Sequence, residues 1–495
     1  MNFLFLPLIF LLFNASIAQH YVFSNHAFYD IHRMIELGIF GLLGVLLLLS
    51  DKSGDRLIGS YRKLPVLSQI FIPIFFLLGV LSSLMHPTDT PYFGLLWVGH
   101  LAMLFLLTLY IAGLYSEHAE RLSRVFLVLI LICGAYYLYL EWSHYLLTQY
   151  WVHFFPDRPL DTDLLIQNLR FPQYSNPRFL GQVLSWVLPL SVLPALLFKK
   201  NKALGLVSLI VPTGLWQMFW MSQSRALYVQ LLLTALIISF CFRKQKEALL
   251  PYLKTQGITL LIGLFLYVAL YHWGYSLPER SLSENTGEPG RLAIWHFTLT
   301  LIGQHPWLGI GSLNFIEYAG KIFNISHPHN AVLLIAVEWG IPAGILFAGL
   351  ILWALVRWVR FATHPPLEKQ TLFASLSRMA LTASLISGLI NAQFSGTLVM
   401  PASQVFLSLV IGLSLGMYQY EKRAPATIRR RIFSLILMRV LVLLIAFVML
   451  KALFPMILSL PEAEQQACEK ALDAAHPDRC PIIPSYFANH AGIET

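Results

Sequence analysis

The chain has 495 residues, of which 57% are hydrophobic and only 12% charged, with a formal net charge of +9. Such a composition excludes a soluble globular domain and reads as a polytopic membrane protein. The positive charge is read as orientation against anionic headgroups, and nucleic acid is set aside as a partner.

Crossing about 30 Å of hydrocarbon takes roughly 17 to 25 apolar residues in a helix. Runs of that kind occur at thirteen places: 3–18, 34–50, 66–85, 94–115, 124–147, 179–198, 203–221, 226–243, 253–273, 331–355, 371–394, 398–418 and 432–458. Backbone groups in lipid must be satisfied within the segment, and alternating barrel strands are absent, so the fold class is all-α, with twelve or thirteen spans. The first run ends in small residues like a signal-peptidase site but lacks a positive n-region, and it is read as a retained helix. The chain then divides into spans one to nine (1–273), a polar loop domain (274–330), spans ten to thirteen (331–458) and a short polar tail (459–495).

Loop charges give the orientation. With the N-terminus in the cytoplasm, the inside loops hold 21 Lys and Arg against 10 in the outside segments, the bias of the positive-inside rule. The loop 274–330 and the tail then lie outside, where Cys468 and Cys480 could pair in an oxidising compartment. Cys133 and Cys241 fall in spans as small hydrophobes.

Against that bias, three outside arginines stand at span or helix starts. Arg178 opens the sixth span, Arg225 lies in the Ser-Gln-Ser-Arg turn between the seventh and eighth, and Arg291 opens an amphipathic outside helix. Trp295, four residues on, shares a face with Arg291, where a cation–π contact fits. Guanidinium is suited to bidentate phosphate binding, although an arginine at a membrane boundary also snorkels or caps a helix.

His327-Pro328-His329-Asn330 comes directly before the tenth span. An imidazole there can take a proton from an attacking hydroxyl. The alternative is a loop histidine bonded to backbone. Metal binding is not expected, because His327 and His329 have no acidic or thiol partner at ligand spacing. Glu338 is read as a helix cap, and Pro306–Gly311 as a turn allowing close backbone approach. His86, His100 and His305 lack comparable neighbours and are read as structural. A transporter or flippase is the rival class, but it should show midplane ionisable residues and paired broken helices. The arginines well inside the spans are Arg378, near the cytoplasmic start of its span, and Arg439, and both are read as snorkelling or packing residues.

Three features resemble the O-antigen ligase and polymerase superfamily of bacterial lipid-linked glycan transferases. In chain order they are Ser224-Arg225, the R-x-x-x-W plus P-x-x-G-x-G block from Arg291 to Gly311, and H-N-x₉-G at His329, Asn330 and Gly340. The ligase motif continues with two residues and then Gly, Thr or Tyr; here that place is Ala343, and Gly344 follows it.

The resemblance implies a C-type glycosyltransferase fold in the bacterial inner membrane, acting at its periplasmic face without metal or cofactor. The implied donor is a glycan on undecaprenyl pyrophosphate. Arg225 and Arg291 would hold the diphosphate, with Arg178 a third donor-binding candidate and His329 the base; Asn330, Trp295 and His327 are expected to contact substrate. The acceptor would be a lipid A core hydroxyl for a ligase, Ser or Thr of a pilin for a protein oligosaccharyltransferase, or the growing glycan for a polymerase. H-N-x₉-G favours the ligase. The protein-modifying branch carries Gln-Pro-Asn-His before the sixth span, where this chain has Ser175-Asn176-Pro177-Arg178.

Overall fold

The structure is a computed structural model, and it describes residues 28–87, 93–154, 177–198, 201–222, 224–272, 290–323, 325–364, 371–422 and 432–451. All regular structure among them is helical. The chain-order helices are α1 (Phe28–Leu49), α2 (Asp51–Arg62), α3 (Val66–Met85), α4 (Phe93–Phe154), α5 (Pro177–Ser191), α6 (Leu193–Leu197), α7 (Lys202–Val207), α8 (Ile210–Met221), α9 (Arg225–Cys241) and α10 (Lys246–His272). They continue as α11 (Arg291–Gln304), α12 (Phe315–Phe323), α13 (Ala331–Trp339), α14 (Ile341–Thr363), α15 (Leu372–Asn391), α16 (Pro401–Glu421) and α17 (Ile432–Lys451).

Nine stretches among the described residues are long and apolar enough to cross a membrane. The protein is an all-α, multi-pass membrane protein. Several expected boundaries change. The expected spans 94–115 and 124–147 run together as α4, interrupted by non-helical φ/ψ at His118. The runs expected at 34–50 and 226–243 correspond to shorter apolar helices, Ile35–Leu49 and Ala226–Cys241. The span expected at 331–355 is broken at Gly340: α13 stops there and the membrane-length helix is Ile341–Thr363. The span 3–18, Cys468 and Cys480 lie outside the described residues.

The helices form two compact units. One contains α4 from Leu114 onward, α5 to α10, the end of α14 from Leu355, α15 and α16. Its centre is α15, buried along nearly its whole length. Small residues let neighbours approach: a Cβ on Gly388 would collide with the Trp186 ring, and a Cβ on Gly263 of α10 would lie 2.8 Å from the Gln217 amide nitrogen of α8. Polar side chains join these helices where no water competes. Asn391 donates to Gln230 at 2.6 Å, Gln230 to Ser387 at 2.9 Å, and Trp186 to Ser403 at 3.0 Å. Arg378 is paired with Glu421 through both carboxylate oxygens at 2.9 and 3.0 Å, so it is a buried ion-pair partner and not a snorkelling residue.

The other unit contains α1 to α3, α4 up to Gly113, α11 to α13, most of α14, and α17. Here Arg33 lies inside α1 and is buried with Glu36 and His100. Arg33 contacts Glu36 and the His100 Nε2, so His100 has charged neighbours after all. Arg439 pairs with Asp51, which gives it an ion partner. The helix α3 packs on α13, where a Cβ on Gly79 would lie 2.9 Å from the Trp339 ring. That contact seats the last residue of α13 against α3.

Candidate active site

H-N-x₉-G describes a complete short helix. Asn330 has extended backbone (φ −144°, ψ 121°) and is the N-cap of α13; its Oδ1 accepts from the Val332 and Leu333 amides, both at 3.0 Å. Asparagine is among the best residues for this role. Nine helical residues follow. Gly340 then ends the helix at φ 89°, ψ 166°, a conformation open essentially to glycine alone, and a Cβ there would collide with the Trp307 carbonyl.

The Pro306–Gly311 turn grips the end of that helix. Ile310 N–H donates to Val337 O at 2.9 Å, Gly311 N–H to Glu338 O at 3.0 Å, and Ile341 N–H to Pro306 O at 2.8 Å. Gly309 and Gly311 have φ of +66° and +92°, and a Cβ on either would collide with backbone. The close approach expected of these glycines is therefore helix to turn, and the amides are committed to α13's terminal carbonyls. Ser82 Oγ donates to Glu338 O at 2.6 Å, and Ser312 links Ser83 and Trp339, each at 2.7 Å.

Glu338 corrects the expectation of a helix cap. It is the second-last residue of α13, 2% exposed, and its carboxyl accepts the Leu313 N–H while burial raises its pKa to about 8. Leu313 itself has φ of 64°. Nothing in the sequence marked Leu313, Ser82 or Ser312 as parts of this clasp, because their partners are more than 20 residues away.

The clasp, with an apolar cluster of Leu301, Ile302, Ile310, Phe315, Ala319, Ala336 and Val337 beneath it, holds α13 so that the histidine loop projects from its N-terminal end. His329 sits half-buried on that loop with φ of 55°, a left-handed conformation uncommon for a non-glycine residue. His327, 6% exposed, is folded beside it with ring centroids 4.3 Å apart and the planes at 75°. The His327 Nδ1 accepts the His329 backbone N–H at 3.1 Å. Burial lowers the His327 pKa to about 4, so its imidazole is neutral at physiological pH. No group of three or more His, Cys, Asp or Glu suited to a metal occurs among the described residues.

Arg291 is exposed at the first position of α11, the helix expected to open at this arginine. One turn on, Trp295 Nε1–H donates to Pro328 O at 3.0 Å. The arginine's helix is thereby tied to the histidine loop, and Arg291, Trp295, His327, His329 and Asn330 belong to one unit. Trp295 and Asn330, expected as substrate contacts, hold this loop in shape by the bonds described.

Arg178 and Arg225 belong to the other unit. They stand at the second and first positions of α5 and α9. These helix starts adjoin, since a Cβ on Gly181 would lie 3.8 Å from Ser224 Oγ. Adjacent N-termini present amide dipoles suited to an anion.

No curated protein matches the chain. Residues 213–348 match the family described as O-Antigen ligase, a segment running from within α8 into α14 and containing Arg225, Arg291 and the whole His-Asn-to-Gly helix.

Proposed function

We propose, from the O-antigen ligase-like character of residues 213–348, that this membrane protein is a glycosyltransferase. It moves a glycan from undecaprenyl pyrophosphate to a hydroxyl of the lipid A core at the periplasmic face of the inner membrane. The observation that carries the reading is the Trp295–Pro328 bond, which sets the arginine-bearing start of α11 beside a histidine held on a left-handed turn.

The chemistry follows from those groups. His329 takes the proton from the acceptor hydroxyl as its oxygen attacks the anomeric carbon. The carbon–oxygen bond to the diphosphate breaks on the opposite side, giving inversion and releasing undecaprenyl pyrophosphate. Arg291 binds the departing diphosphate, whose developing negative charge a guanidinium stabilises directly. Arg225 and Arg178 are assigned to donor binding by the family resemblance and by the anion-binding character of their helix starts.

The test is a deletion strain complemented with wild type, His329→Ala or Arg291→Ala, examined together for lipopolysaccharide laddering and pilin mass. A ladder restored by wild type and by neither variant supports the ligase and its site. Full laddering with normally inserted His329→Ala would remove the base assignment. An intact ladder with a lighter pilin would move the acceptor to protein.

A further inference from the structure

The loop contains a second histidine that the transfer reaction just described leaves without a task. A backbone N–H can only donate, so the bond from His329 N–H requires a bare lone pair on His327 Nδ1. The neutral ring therefore carries its proton on Nε2. The same bond closes a tight turn around Pro328, whose carbonyl is taken by Trp295, and it forms at the residue with φ of 55°. A left-handed non-glycine residue is strained and persists only where its surroundings impose it. The imposing contacts are visible here: the Nδ1 acceptor, the edge-to-face ring contact with His329, and the Asn330 cap immediately after it.

We propose that His327 is a positioning residue for the transfer reaction: its Nδ1 locks the His329 backbone in the left-handed turn and so aims the His329 ring at the acceptor hydroxyl. This rests on the proposed role of His329. The committed Nδ1 gives the ring a task within the loop itself. The neutral state of the ring agrees with the arrangement, since a proton on Nδ1 would abolish the bond.

Asparagine and glutamine distinguish the two ring nitrogens, because the Asn Oδ1 falls near the place of Nδ1 and the Gln Oε1 near that of Nε2. His327→Asn, His327→Gln and His327→Leu would be purified in detergent and assayed with an extracted undecaprenyl-pyrophosphate-linked glycan as donor and rough lipopolysaccharide as acceptor. Expected is a fall in kcat of tenfold or more for Leu and Gln, with the donor KM within twofold of wild type, and Asn within about threefold of wild-type kcat. Equal activity of Asn and Gln, or a raised donor KM that Asn does not correct, would overturn the assignment. Should the Leu variant fail to insert, the Asn and Gln pair decides alone. His329→Ala in the same assay separates the two readings: full activity there removes the base itself, whereas an inactive His329→Ala beside an unaffected His327 series removes only the positioning role.

Discussion

The Trp295 indole N–H donates to the Pro328 carbonyl at 3.0 Å, tying the first turns of α11 to the residue between the two loop histidines. Two motifs far apart in sequence, R-x-x-x-W and H-N-x₉-G, thus become parts of one device. Trp295→Phe keeps an aromatic ring, smaller than the indole, and removes the bond. A neutral hydrogen bond contributes about 1 kcal/mol net, so transfer is expected to fall roughly five- to tenfold. The check is initial transfer rate per inserted protein, and an unchanged rate would show that the loop holds its shape without this tie.

Arg291 is exposed at the start of α11, so its loss should cost little stability and much activity. Charge-assisted bonds to phosphate are worth roughly 1.5–3 kcal/mol, which converts to about a 10- to 150-fold drop in kcat/KM for Arg291→Ala. Arg291→Lys keeps the charge and loses the planar fork, and should recover only part. Steady-state transfer with varied donor decides the matter. Wild-type kcat/KM in the Lys variant would mean that a point charge suffices.

Much of this was legible in sequence because it depends on local pattern. The membrane class and the helix opening at Arg291 are set by residues close together in the chain, whereas Asn330 was expected to contact substrate and its N-cap role was not read from the motif. The span expected at 331–355 was misplaced because its apolar run is continuous, and hydropathy does not register the break that Gly340 makes against Trp307. The Pro306–Gly311 turn could be read as a close approach, but the α13 carbonyls it receives were not identifiable. Glu338 was misread for the same reason, its partner being the Leu313 amide. Hydropathy likewise cannot reveal that Arg378 finds Glu421, 43 residues away.

Gly340 and Gly303 give opposite expectations for one substitution. A Cβ on Gly340 meets the Trp307 carbonyl at a φ of 89°, whereas Gly303, in α11, has nothing within 4 Å. Gly340→Ala is expected to destabilise by about 3 kcal/mol or more, and Gly303→Ala to stabilise by roughly 0.5–1 kcal/mol through helix entropy. Melting temperatures in detergent test both, and a neutral Gly340→Ala would show that the clasp can reopen without loss.

Glu338 and His327 make stability respond to pH in opposite senses. His327 has its pKa lowered from 6.5 to about 4. Between those values the unfolded chain binds more protons than the native one, so stability rises with pH and this contribution is complete above about 6.5. Glu338 has its pKa raised from 4.5 to about 8. Through that window the native state holds the extra proton, and stability falls as pH rises until the loss is complete above about 8. From pH 6.5 to 8 Glu338 therefore acts alone, and the melting temperature should decline. Glu338→Gln keeps an acceptor for the Leu313 amide but has no charge to bury, so the decline should flatten and the variant should exceed wild type most at the alkaline end. A slope unchanged by the substitution would assign the pH response to another group.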